Sequence, residues 1–276
     1  MKTYVITGTT SGIGKALLKA LCKDNIVFAG YRKFELEDNL KSLSDNVIPF
    51  FIDMENKTSI RLAADFILSK TDKIDSLYNV AGCVVAGAVE NIDIDDIRKQ
   101  FEINTFSQLD FSQQLLDALE GGRIINISSM SSFGIFPFIS PYSASKRAMD
   151  ILFNAMQLET HRNVKIISVK PGVIATPIWQ KSIILNEKSI QFPKSFEKEM
   201  KYMVANAQNN SKNGLDVQKV VDVLLKIEKT HNPKSSYTIG FDAKIAEIFS
   251  KLPQDVLNFI IKFKLAQKLS SKYGII

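Results

Sequence analysis

Tyr4-Val5-Ile6-Thr7-Gly8-Thr9-Thr10-Ser11-Gly12-Ile13-Gly14 decides the reading of this chain. A short β-branched run ends in a turn with three glycines. Lys15 to Lys23 then repeats like a helix, with Ala16, Leu17, Ala20 and Leu21 on one face. Glycines between a first strand and a helix let the backbone turn sharply and approach a pyrophosphate, whose charge the helix N-terminus stabilises. The spacing is G-x-x-x-G-x-G rather than G-x-G-x-x-G, and a tight turn without a ligand is the plainer alternative. Its position after a strand and before an amphipathic helix favours nucleotide binding.

The same alternation continues outward. Strands are expected at Tyr4–Ile6, Ile26–Ala29, Val47–Ile52, Ser76–Val80, Arg123–Ile127, Val164–Val169 and Ser236–Ile239. Helices are expected at Ile60–Ser69, Ile94–Leu119, Tyr142–Thr160, Phe196–Ala205 and Val217–Lys229, followed by two tail helices split by Pro253, which suits the first turn of the second one. Nearly continuous apolar strands that alternate with helices predict a parallel sheet covered on both faces. With right-handed crossovers the arrangement is an α/β doubly wound sheet, a Rossmann fold. One domain is expected over 1–276, with 171–213 as a substrate lid and 241–276 as a helical tail.

The chain has 276 residues, 45% hydrophobic and 23% charged, with a net charge of +6. Its lysines are dispersed, with no Arg-rich arm or aromatic–basic interleaving, so nucleic acid is not an expected partner. No signal peptide or membrane span is expected, and the reading is cytoplasmic. Cys22 and Cys83 lie far apart and read as two buried free thiols. His161 and His231 have no companions at metal-ligand spacing, so no metal is expected.

Strand two ends Ala29-Gly30-Tyr31-Arg32-Lys33. NAD-preferring folds place an acid there for the ribose 2′-hydroxyl. Here two cations stand instead, which predicts NADP(H) over NAD(H). Tyr142-Ser143-Ala144-Ser145-Lys146 opens a helix, and its i,i+4 spacing puts phenol and ammonium on one face. A neighbouring ammonium favours the phenolate, yet moving a pKa of about 10 to neutrality needs a partly dry site or further positive charge. Ser129 ends the fifth strand, at the carboxyl edge where parallel sheets bind ligands.

With these elements in order, the sequence resembles the short-chain dehydrogenase/reductase family. The resemblance rests on Thr7 to Gly14, Asp53, Asn79-Val80-Ala81-Gly82, Asn104, Ser129, the Tyr142/Lys146 pair and Pro171-Gly172. Val80 replaces a usual asparagine, and Pro141 directly precedes Tyr142. The resemblance implies hydride transfer between a nicotinamide and a substrate carbon. Tyr142 is then the acid/base and Ser129 bonds the substrate oxygen. Lys146 holds the ribose and lowers the Tyr142 pKa, and Asn104 steadies a water. Cofactor contacts are implied at Gly8, Thr10, Ser11, Gly12, Ile13, Gly14, Arg32, Asp53, Met54, Asn79, Ala81 and Gly82. They continue at Tyr142, Lys146, Pro171, Gly172, Ile174 and Thr176.

Apolar residues flank the site: Met130, Phe133, Ile135, Phe136, Phe138 and Ile139 before Tyr142, then Ile178, Trp179, Ile183, Ile184, Leu185 and Phe192. They predict a bulky apolar alcohol or ketone, steroid-, retinoid- or lipid-like. A 3-oxoacyl-type reductase and a non-catalytic NADP(H)-binding regulator are the alternatives. Ser236 to Gly240, then Leu252-Pro253, resembles the ending of steroid and retinol dehydrogenase-like members. A homodimer or homotetramer is expected. From Val256 the tail mixes four lysines with apolar residues and has no acid, so it could lie on an anionic membrane. Covering the pocket or a subunit is the favoured role.

Overall fold

The computed structural model describes residues 1–178, 180, 182 and 194–273. Seven parallel strands form one sheet in the order β3-β2-β1-β4-β5-β6-β7. They are β1 (Thr3–Ile6), β2 (Ile26–Tyr31), β3 (Val47–Phe51), β4 (Ser76–Asn79), β5 (Arg123–Ile127), β6 (Lys165–Pro171) and β7 (Ser236–Ile239). The helices are α1 (Gly12–Leu21), α2 (Glu37–Lys41), α3 (Lys57–Leu68), α4 (Ile94–Phe101), α5 (Ser107–Gln114), α6 (Ser140–Glu159), α7 (Glu197–Asn213), α8 (Val217–Lys229), α9 (Phe241–Phe249) and α10 (Gln254–Tyr273). The doubly wound expectation holds. The order reverses between β1 and β4, which opens a crevice beyond their carboxyl ends.

Alternation along the strands builds two cores. Tyr4 and Ile6 of β1 face Leu17, Leu18 and Leu21 of α1 and Val220, Val221 and Leu224 of α8. Val5 faces the other way, into a layer with Ile60 and Ile67 of α3, Phe111 of α5 and Met149 and Phe153 of α6. Period-two strands and 3.6-period helices meet on both faces, so this burial is the main stabilising term. At the amino ends of the strands, opposite the crevice, buried Glu228 of α8 ties β4 to β5. Its Oε1 accepts from Ser76 Oγ at 2.6 Å and Tyr78 Oη at 2.7 Å, and its Oε2 lies 3.2 Å from Arg123 Nη1.

Three expected elements change, one of them only in length: the helix expected at Phe196–Ala205 is α7, Glu197–Asn213. The long helix over Ile94–Leu119 is instead α4, a π-helical turn at Glu102–Phe106, and α5. The cause is tertiary. Thr105 Oγ1 donates to Ser145 O at 2.8 Å and Asn104 is clamped to the loop after β4, so the extra residue of the π turn keeps both bonds while the helix continues. Pro253 does not enter the first turn of α10. Its carbonyl accepts from Leu257 N–H at 3.1 Å, which makes it the residue capping that helix. Trp179, Ile183, Ile184, Leu185 and Phe192 lie outside the described residues.

Candidate active site

The crevice is a cleft of about 610 Å³ above β1, β4 and β5. Its floor at one end is the first turn. Gly8 has φ +70, and a Cβ there would stand 3.0 Å from Ala81 Cα, so the β1 and β4 turns can touch only with glycine at this position. A Cβ on Gly14 would collide with the carbonyl oxygen of Gly8, which fixes the packing of α1 under the turn. Thr7 opens the glycine turn, and its Oγ1 accepts from Val80 N–H at 2.9 Å and Ala81 N–H at 3.1 Å and so locks the two turns, a role the sequence did not assign to it. No acidic side chain occupies the first turn of α1.

Gly8, Thr10, Ser11, Gly12 and Ile13 line the cleft, as do Arg32, Met54, Ala81 and Gly82. Ser129, Tyr142 and Lys146 line it on the β5 side, and Pro171, Gly172, Ile174 and Thr176 on the β6 side. Four expected site residues, three cofactor contacts and Asn104, stand outside this lining. Gly14 acts through backbone packing. Asp53 Oδ1 accepts from Glu55 N–H at 3.1 Å, within its own turn. Asn79 lies beneath the floor, its Nδ2 donating to Ser112 Oγ at 3.0 Å and Asn126 Oδ1 at 2.8 Å. Asn104 is wholly buried. Its Oδ1 accepts from Cys83 N–H at 2.9 Å, and its Nδ2 donates to Cys83 O and Ser145 Oγ, each at 3.0 Å. The Asn104 side chain is therefore a clamp between the β4 loop and α6.

Tyr142 and Lys146 share one face of α6, with Lys146 Nζ 6.0 Å from the Tyr142 ring centroid. Lys146 Nζ donates to Ile127 O at 2.8 Å. Burial pushes the Tyr142 phenol up to about 12, while its hydrogen bond with Ser129 pulls the other way. The expected lowering of the phenol by Lys146 is not found. The ammonium is held against β5 rather than against the hydroxyl, and desolvation dominates. Burial also lowers Lys146 to about 8, against the opposing pull of Asp150. Asp150 lies one turn further along α6, itself paired with Lys170 at 3.1 Å.

Around Tyr142 the wall is apolar. Val84 and Ala86 come from the loop after β4, Ile139 from the approach to α6, Ile178 from the segment after β6, and Met203 from α7. Phe138 adopts φ 67, a left-handed backbone rare for such a residue, and its carbonyl accepts from Gly87 N–H at 2.7 Å. That bond joins the two loops that carry Ala86 and Ile139. Cys83 is only half-buried and lines the cleft, contrary to the expectation of a buried thiol, whereas Cys22 is buried; both are free. Glu55 of the β3–α3 turn pairs with Arg32 at 3.1 Å. Among the described residues no cluster of metal-ligating side chains occurs, and no helix is long and apolar enough to cross a membrane.

The cleft fits a dinucleotide. The glycine turn leaves the backbone bare, the α1 N-terminus carries no competing acid, and the Ser128 hydroxyl lines the cleft, buried without a partner among the described residues. A doubly wound sheet with this cleft and a Ser–Tyr–Lys group beside it defines a nicotinamide-dependent oxidoreductase. The chain belongs to the short-chain dehydrogenase/reductase family: the short chain dehydrogenase model matches residues 2–184. It is an enzyme acting on CH–OH or carbonyl groups with a nicotinamide cofactor.

An oxidoreductase of Bacillus subtilis, YusZ, is 28% identical over 96% of this chain and 98% of its own. A 3-ketodihydrosphingosine reductase of Bacteroides thetaiotaomicron is 27% identical over 94% and 96%. A short chain dehydrogenase of Burkholderia cenocepacia, solved in complex with NADP, is 26% identical with a TM-score of 0.70, covering 95% of this chain and 99% of that one.

Proposed function

We propose that the protein is an NADP(H)-dependent reductase or dehydrogenase of an apolar, lipid-like ketone or alcohol, with Tyr142 as its acid/base. The observation that carries this reading is the apolar wall of Val84, Ala86, Ile139, Ile178 and Met203 set around Tyr142. A 3-ketodihydrosphingosine reductase and an NADP-bound dehydrogenase among the similar proteins support the substrate class and the cofactor. So do the cations Arg32 and Lys33 at the adenosine end of the cleft.

When bound, the nicotinamide supplies or accepts the hydride. The rest falls to the chain. Burial keeps the Tyr142 phenol protonated, so in reduction it donates that proton to the substrate oxygen as negative charge develops there. Ser129, bonded to Tyr142, provides a second hydroxyl for the same oxygen. Lys146 spends one of its three N–H donors on Ile127 O and has two for the ribose hydroxyls. Asn104 acts at a distance from the reacting atoms, by fixing the β4 loop to α6.

The tail braces the pocket, because α10 packs on α7, the helix that carries Met203. Ile151, Leu152 and Leu158, exposed on α6, support self-association. The test is Tyr142→Phe, assayed with NADPH and long-chain ketones: turnover is lost while NADPH fluorescence still reports binding. Undiminished turnover would refute the mechanism, and a preference for short polar ketones would refute the substrate class.

A further inference from the structure

Arg32 does not stand alone at the end of β2. Its Nη1 lies 3.1 Å from Glu55 Oε1, and the second oxygen of that carboxylate, Oε2, lies 2.8 Å from Lys99 Nζ. Three elements meet in this chain of charges: the end of β2, the β3–α3 turn and α4. Arg32 lines the cleft, whereas Glu55 and Lys99 stand behind it. Glu55 is also fixed from below, where its N–H donates to Asp53 Oδ1 at 3.1 Å. The backbone of Glu55 is fixed by this bond and its carboxylate by the two cations.

A guanidinium offers five N–H donors in a rigid fork, and one edge here is already given to an anion. A phosphate monoester brings a charge of about −1.5 to −2 near neutrality. Placed on Arg32, it meets the carboxylate of Glu55 as a like charge and as a rival for the same donors. Lys99 is the only cation besides Arg32 paired with that carboxylate among the described residues. It can retain Glu55 when the guanidinium turns away. A ribose that carries only its 2′-hydroxyl has no such conflict, and the Arg32–Glu55 pair can stay closed.

We infer that Glu55 competes with the 2′-phosphate of NADP(H) for Arg32, that Lys99 holds Glu55 back, and that the three together set the NADPH-to-NADH ratio. This rests on the reading of Arg32 as the phosphate-binding cation. An acid thus stands against Arg32, delivered from the β3–α3 turn rather than from β2, and paired with a lysine of α4.

The experiment is direct titration of the full chain with NADPH and with NADH, followed by nicotinamide fluorescence, for the wild type, Glu55→Gln, Lys99→Met and the double variant. The side chains are partly exposed, so the effects are those of exposed pairs, about three- to fivefold. Glu55→Gln tightens NADPH by about that factor and leaves NADH within about twofold. Lys99→Met weakens NADPH to a similar extent, and in the Glu55→Gln background this loss disappears. A Glu55→Gln variant that binds NADPH no better overturns the competition. A Lys99→Met loss that persists undiminished in the double variant overturns the role of Lys99, because the lysine would then act on the phosphate directly. A wild type that prefers NADH overturns the phosphate reading of Arg32 itself, and this inference with it.

Discussion

Replacing Lys146 with methionine should make the protein more stable and inactive, and the gain should depend on pH in a defined way. Burial lowers Lys146 from an ordinary 10.5 to about 8. At about 1.4 kcal/mol for each factor of ten in a proton equilibrium, holding the ammonium in the fold costs about 3 kcal/mol. The sign follows from proton binding. Between the two values the unfolded chain keeps the proton and the folded chain has lost it, so stability rises with pH across that window. Below it both states are protonated and the full cost is present.

At about pH 7, Lys146→Met therefore gains up to about 3 kcal/mol, less about 1 kcal/mol for the hydrogen bond to Ile127 O. By about pH 9.5 the wild type has shed about 2 kcal/mol of its cost, and the gap between the two proteins closes by that amount. Urea unfolding of both proteins at the two pH values measures the difference, and other titrating groups cancel in the comparison. A gap that stays constant with pH, or a variant that is less stable at neutral pH, would refute the claim that a buried charge is stored at this position.

Two further outcomes follow from the packing. Glu228→Ala leaves Arg123 and the hydroxyls of Ser76 and Tyr78 facing a cavity, and should cost about 3–5 kcal/mol in the same urea experiment, with activity retained in the folded fraction. Gly14→Ala drives a methyl group into the carbonyl of Gly8. It should cost about 1–3 kcal/mol and weaken NADPH binding in a fluorescence titration; a variant with unchanged affinity would show that the turn yields without losing its shape.

The seven strands were legible because each is a short apolar run bounded by turn residues. Arg123–Ile127 and Ser236–Ile239 match to the residue, and the others shift by one or two at their ends. The register of Gly8, Ser129 and Tyr142 was legible too, since the parallel order places all three at one edge of the sheet. What escaped the sequence depends on partners distant in the chain. Ile94 to Leu119 has helical periodicity throughout, and only the bonds of Asn104 and Thr105 to Cys83 and Ser145 show why it breaks. Glu55 reads as a surface acid until the β3–α3 turn is seen beside Arg32. The raised Tyr142 phenol depends on burial by Val84, Ala86 and Met203, which no spacing within α6 reveals.

The π turn at Glu102–Phe106 also has a bearing on how this scaffold tolerates change. One surplus residue rotates everything after it by about a hundred degrees about the helix axis. The faces of α4 and α5 are thereby phased independently, with Asn104 as the fixed point between them. A single-residue deletion inside the turn would instead merge the two segments into one regular helix and carry the Asn104 clamp off its partners.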